Sequence, residues 1–192
     1  MTEFKDMITS YFGELTDDEF NKMMSYFHLE KISKNDFFTE EGKHCNRFSF
    51  QKTGILRVFK MDDGKEVTQW ISTLNYFITD VSSFFFGEPS RWSIQALSDS
   101  ELLTISNENY KQLCEAFPKW NEIEKRFLAK CFAMLEDRVY SHLTMTAEER
   151  YTLYFEQNKS LFNQVPLQYL ASVLGMSAET FSRIRKRQGE NS

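Results

Sequence analysis

The sequence predicts an α+β fold: an N-terminal antiparallel β-roll of the jelly-roll kind flanked by helices, a long helix, and a C-terminal helix-turn-helix without a full wing. Three observations predict it. Short strand-like runs fill residues 29–105 and are punctuated by turn residues. A long apolar-rich stretch follows Pro118. Residues 165–187 then join apolar helical spacing to a glycine, a fresh capping residue and a basic end.

The elements follow in order. Phe4, Met7, Ile8 and Tyr11 make one stripe, predicting a helix over 3–12. Thr16 caps a second helix over 16–27, with Glu19 three residues on as a capping box and Phe20, Met23, Met24 and Phe27 on its apolar face. Strand-like runs then cover 29–32, 37–39, 47–52, 54–61, 66–71, 91–96 and 100–105. Gly42 and Gly54 separate some of them, and Asp62-Asp63-Gly64-Lys65 is a hairpin signal. Several short strands at such spacing suit a closed or sandwiched antiparallel structure.

Pro118 is a favoured first helical residue and opens a helix running to about Leu143. Its apolar residues (Trp120, Ile123, Phe127, Leu128, Cys131, Phe132, Met134, Leu135 and Val139) form a stripe too broad for one partner. Such a stripe fits a single deeply buried helix. It equally fits one packed on the β-structure on one side and on a second copy of itself on the other. Thr146 caps the next helix, again with a glutamate, Glu149, in capping-box position, and a turn through Leu161 and Phe162 follows.

The final segment is the most specific. Leu167, Leu170, Ala171 and Leu174 line one helical face. Gly175 stands where a left-handed C-cap is required, and Ser177 is an N-cap for a second helix. That helix buries Phe181 and Ile184 and turns Ala178, Glu179, Ser182, Arg183 and Lys186 outward. A first helix across the backbone and a second whose early side chains reach base edges is a DNA-reading geometry.

Charge supports this. The chain of 192 residues has a net charge of −5, yet residues 177–187 hold one acid and four bases. Such a local reversal suits phosphate contacts. No apolar run is long enough for a membrane span, and the N-terminus lacks a signal peptide's pattern. Cys45, Cys114 and Cys131 are far apart and read as reduced cytoplasmic thiols. His28, His44 and His142 are scattered, so neither a metal site nor a metal-dependent β-roll enzyme is expected. The chain is expected to be a non-enzyme.

The order of elements resembles the cyclic-AMP receptor protein and fumarate–nitrate regulator superfamily of bacterial transcription factors. The strongest pieces are Gly54 to Thr68, with the hairpin Asp63-Gly64-Lys65-Glu66, and the ending from Glu149-Arg150-Tyr151 through Arg187. That ending is similar to a compact branch common in Bacteroidetes-type bacteria. The resemblance implies a cyclic-nucleotide-binding-like roll at 1–117, a connecting and dimerisation helix at 118–143, and a DNA-binding domain at 144–192. It implies a homodimer with Leu128, Cys131 and Leu135 on the joining helix, binding double-stranded DNA at paired half-sites. RNA polymerase and an unidentified small-molecule effector are the further partners it implies.

Family members that bind cyclic AMP carry a glycine and a glutamate at the start of a short helix. An arginine and a small hydroxyl residue follow about ten positions later. The string Phe86-Gly87-Glu88 with Arg91 imitates this. Aligning the strand Arg91-Trp92-Ser93-Ile94-Gln95-Ala96 without gaps instead sets Thr79, Asp80, Ser90 and Arg91 at those four places. Thr79 adds a side chain where backbone should approach phosphate, Asp80 is one methylene short, and Ser90 lacks the guanidinium fork. Cyclic nucleotide is therefore the disfavoured effector, and the pocket is read as degenerate or retargeted. Phe77, Phe84, Phe85, Phe86 and Trp92 are either cavity lining or filled core.

In the reading helix, Glu179 and Arg183 match the family pattern, while Ala178 replaces its first arginine. Glu179 could accept from a cytosine edge and Arg183 donate to guanine. Ser177 and Thr180 are placed against phosphate or a thymine methyl, and Lys186 and Arg187 add charge. The sequence stops about five residues past Arg187, so the usual β-wing is expected to be absent. A ligand sensor acting mainly as a signalling module is the competing function.

Overall fold

A computed structural model of the protein describes residues 5, 9 and 15–190. The predicted helix at 3–12 lies outside the described residues except for Lys5 and Thr9, which are helical. The chain divides into two compact units: residues 1–58 with 72–132, and residues 59–71 with 133–192.

In the first unit, α1 (Asp17–Met24) opens on the predicted capping box: the Glu19 amide donates to Thr16 Oγ1, and the Glu19 carboxylate accepts from the Thr16 amide. The helix stops at Met24, short of Phe27, because Ser25 takes the C-cap. Among the described residues eight strands follow in antiparallel sheets, with most of the fourth and fifth falling in residues 59–71 of the second unit: β1 (His28–Ile32), β2 (Phe37–Thr39), β3 (Arg47–Gln51), β4 (Leu56–Asp62), β5 (Lys65–Ser72), β6 (Phe77–Ile78), β7 (Ser93–Ala96) and β8 (Ser100–Ser106). Their order is β1-β8-β3-β6 in one sheet and β2-β7-β4-β5 in the other. Seven of the eight match predicted runs within a few residues. The two-residue β6 is too short to show a period and has no counterpart among those runs.

Two helices also have no counterpart among the elements read from the sequence pattern, although the alignment with the cyclic-AMP-binding residues implies a short helix starting near Asp80. One is α2 (Val81–Phe86), whose Val-Ser-Ser-Phe-Phe-Phe is rich in residues that favour strands. The other is α3 (Asn107–Ala116), which Ser106 caps by accepting from the Asn109 amide. A signal for α3 is present: a capping serine, then Tyr110, Leu113 and Cys114 at helical spacing.

Alternation on the strands builds two cores. Ile32, Phe38, Cys45, Leu56, Ile78, Ile94, Ala96 and Leu102 form one. Phe48, Phe50, Leu103 and Ile105 face the other way, onto Phe20, Met23, Leu113, Trp120 and Ile123. The second is an aromatic lattice in which Phe48 and Phe77 stack at 4.9 Å and Phe84 meets Tyr110 edge-on at 5.1 Å. Tyr110 donates to the Glu124 carboxylate, and burial first, then that carboxylate, holds its phenol firmly protonated.

The long helix α4 (Lys119–Thr144) begins one residue past Pro118. Only Trp120 and Ile123 along it are buried. The single deeply buried helix is thus overturned: from Leu128 onward none of the apolar side chains is buried. Phe132 is 63% exposed, Leu135 48%, Val139 58% and Leu143 79%.

In the second unit, α5 (Ala147–Gln157) carries the Thr146–Glu149 capping box. A 3-10 turn (Lys159–Asn163) stands where a turn was expected and buries Leu161 and Phe162. Then come α6 (Leu167–Val173) and α7 (Ala178–Glu190). Tyr151, Phe155, Phe162 and Phe181 interlock at ring separations of 4.8–6.0 Å and hold the helices together. No helix among the described residues is long and apolar enough to cross a membrane.

Candidate functional site

The turn between α6 and α7 is fixed by hydrogen bonds that satisfy the end of α6. The Gly175 amide donates to the Ser172 carbonyl at 3.0 Å, and the Met176 amide to the Ala171 carbonyl, also at 3.0 Å. This is a Schellman arrangement around a left-handed residue. Gly175 has φ +64°, and a Cβ there would approach the His142 ring to 3.2 Å. Two arginines take the last carbonyls of α6. Arg138 donates to Val173 at 3.2 Å and also to the Gln69 carbonyl, with its guanidinium 5.9 Å from the Trp70 ring centre. Arg150 donates to Leu174 at 3.0 Å and to Met145 at 2.8 Å. The Thr68 amide on β5 donates to Ser172 Oγ at 2.8 Å. Sequence reasoning misses these arginines because their targets are backbone carbonyls.

On that support α7 presents its outer face. Ser177 Oγ accepts from the Thr180 amide at 3.1 Å, the predicted N-cap. Phe181 and Ile184 are buried, as expected. Ser177, Ala178, Glu179, Ser182, Arg183, Lys186 and Arg187 are exposed, and Thr180 is half-buried. Arg183 Nη2 donates to Thr180 Oγ1 at 3.3 Å, and Arg187 lies 3.8 Å from the Glu148 carboxylate. The face therefore carries exposed donors, one exposed acid at the N-terminal end where the helix dipole favours it, and hydroxyls between them.

The four residues aligned with the cyclic-AMP-binding ones (Thr79, Asp80, Ser90 and Arg91, together the cradle) are arranged quite differently. Asp80 is 3% exposed and caps α2: Oδ1 accepts from the Ser83 amide at 2.9 Å. Its Oδ2 accepts from the amides of Arg91 at 2.9 Å and Trp92 at 3.2 Å. Three backbone donors converge on one carboxylate. Ser90 is buried and its hydroxyl pairs with Thr39 Oγ1 at 3.1 Å. Thr79 donates to the Arg47 carbonyl at 2.9 Å. Arg91 is exposed, and β7 begins only at Ser93, so Arg91 is not the strand residue that the alignment implied.

Asp80, Ser90 and Thr79 are thus each held by the protein's own polar groups. Gly87 closes α2 in a left-handed C-cap. Phe84 is buried, with Phe77 and Phe85 packed against its cluster as filled core, while Phe86 is 73% exposed.

Along α4, Leu128 and Leu135 are exposed, and Cys131 is half-buried with burial raising its thiol above the usual range. Phe132 and Val139 join Leu128 and Leu135 at spacings of four and three residues, a seam only partly covered by the choice of Leu128, Cys131 and Leu135.

Residues 29–117 match the cyclic nucleotide-binding domain family, and the fold is similar to those of several solved structures. One is FixK2 of Bradyrhizobium japonicum, 16% identical over 86% of this chain and 85% of that one, with a TM-score of 0.71. Another is the c-di-GMP-responsive global regulator CLP of Xanthomonas campestris, 14% identical over 92% and 93%, at 0.68. A third is the catabolite activator protein of Thermus thermophilus, 23% identical over 94% and 87%, at 0.58. No curated protein matches the sequence.

Proposed function

We propose that this chain is a DNA-binding transcription regulator, working in the cytoplasm as a homodimer that reads a two-fold-symmetric promoter site through residues 177–187. The roll at 1–117 is its sensor domain, 118–143 its joining helix and 144–192 its reading domain. The observation that carries the reading is the exposed face of α7. Glu179, Ser182, Arg183 and Lys186 face outward on a helix anchored by buried Phe181 and Ile184. The apolar seam of Leu128, Phe132, Leu135 and Val139 on α4 supplies the surface for a second copy. Two reading helices one DNA turn apart then match a palindrome. RNA polymerase is the natural downstream partner of such a protein.

The effector cradle is degenerate or retargeted. A cyclic phosphate would meet the Asp80 carboxylate on the backbone amides it needs, and Ser90 offers no positive charge. The competing sensor reading draws on the family match at 29–117, and an effector other than cyclic nucleotide is compatible with both.

Fluorescence anisotropy on the protein's own upstream DNA and on random DNA, across a salt series and with or without cyclic AMP, tests this. The expected result is sequence-selective binding that weakens steeply with salt, is indifferent to cyclic AMP, and loses about 10–100-fold of its selectivity in Arg183→Ala. Absence of binding at low salt would sink the regulator reading. A melting shift with cyclic AMP would sink the reading of the cradle as degenerate or retargeted.

A further inference from the structure

The first turn of α7 contains a polar relay that gives Thr180 a role different from a direct DNA contact. Ser177 Oγ accepts from the Thr180 amide and donates to Thr180 Oγ1 at 3.0 Å. Thr180 Oγ1 accepts a second time, from Arg183 Nη2 at 3.3 Å. A hydroxyl oxygen has two lone pairs, and both are now engaged inside the protein. Thr180 is half-buried and β-branched, so its χ1 is restricted in a helix. The Ser177 bond holds the hydroxyl as well. Arg183, one turn on, is exposed and long. Glu179 lies four residues before Arg183 on the same side of the helix, the usual place for a carboxylate to steer an arginine. Among the described residues the two form no ion pair; the hydroxyl, not the acid, holds the guanidinium. Glu179 is left to engage a partner itself.

We infer that Thr180 is a positioning residue: it aims the Arg183 fork before DNA arrives, so that less side-chain freedom is lost on binding. This rests on the DNA-reading function proposed above. A pre-aimed arginine that spends one N–H on the hydroxyl keeps the rest of its donors, enough for a bidentate contact to a guanine edge. Preorganisation of this kind raises selectivity at the one base pair that Arg183 reads and leaves sequence-independent binding alone.

Thr180→Val removes the hydroxyl and keeps the shape; Thr180→Ser keeps the hydroxyl and removes the methyl. Anisotropy on operator variants changed one base pair at a time is expected to show about fivefold lost selectivity at a single position in Thr180→Val, with the salt slope unchanged. Thr180→Ser should retain wild-type selectivity, and in an Arg183→Ala background Thr180→Val should cost nothing further. Uniform weakening across all sequences with a shallower salt slope would overturn the inference in favour of a phosphate contact. Loss in Thr180→Ser but not in Thr180→Val would overturn it in favour of a thymine-methyl contact.

A second readout needs no DNA. The 15N order parameter of Arg183 Nε is expected to fall in Thr180→Val and not in Thr180→Ser, and no change would overturn the positioning role. Should the wild type bind no DNA, the regulator reading fails on its own while this measurement still decides whether Thr180 holds Arg183.

Discussion

The outer face of α7 and the cradle around Asp80 both carry clustered polar side chains and use them in opposite ways. On α7, Glu179, Ser182 and Arg183 stand in solvent, anchored from below by Phe181 and Ile184. In the cradle, Asp80 accepts three backbone amides, Ser90 pairs with Thr39, and Thr79 is bound to the Arg47 carbonyl. A polar group left in water can exchange that water for a ligand at little cost. One already bonded and buried must first lose its partners. The difference separates a face whose polar groups are open to solvent from a site whose capacity is consumed by folding.

The largest expected effect lies in the cradle. Asp80→Ala strips three backbone amides, one of them buried and two part-buried, of their acceptor, and the loss of charge-assisted hydrogen bonds of this kind costs about 3 kcal/mol. Urea denaturation should show that loss, with Asp80→Asn recovering part of it because an amide oxygen still accepts. A loss below about 1 kcal/mol would mean that water replaces the carboxylate easily, and the contrast with α7 would collapse. Gly175→Ala is expected to cost less, about 1–2 kcal/mol, for a left-handed residue with a side chain. The approach of the new Cβ to His142 makes the upper end of that range the expectation. Because the strain sits in the turn that precedes α7, the same variant should, on the function proposed above, weaken DNA binding more than its lowered stability alone explains. Equal effects would confine Gly175 to a folding role.

Much of the fold was legible because its signals are local. Thr16 with Glu19, Thr146 with Glu149, and Gly175 with Ser177 each encode a helix boundary within a single turn of chain. Phe181 and Ile184 encode the buried side of α7 by spacing alone. The helix α2 was legible only through the alignment with the cyclic-AMP-binding residues and not from its own pattern: three consecutive phenylalanines have no period, and its capping residue Asp80 is held by the distant amides of Arg91 and Trp92. The roles of Arg138 and Arg150 were hidden for a related reason, since a backbone carbonyl carries no sequence signature. In the cradle, Thr79, Asp80 and Ser90 could be located by alignment. That their polar atoms are already taken required the geometry.

The smallest effect concerns a group that belongs to neither extreme. Glu149 is exposed like the α7 side chains, yet committed like Asp80: its carboxylate accepts from the Thr146 amide at 2.7 Å and from the Thr146 hydroxyl at 2.8 Å. The backbone bond first, then the hydroxyl, holds its carboxyl below the usual glutamate range. A carboxyl whose folded value is depressed contributes stability that is fully present above its unfolded value and is lost as pH falls through the folded one. The wild type should therefore lose an increment of stability through the acidic carboxylate range that Glu149→Gln does not lose, since the amide keeps an acceptor at every pH. Measured as urea midpoints against pH, the two proteins should differ at neutrality and converge on acidification. A gap that stays constant as pH falls would mean that the Glu149 charge adds nothing to the cap. Exposure alone would then decide which polar groups of this chain are free for a partner, and the contrast between α7 and the cradle would reduce to burial.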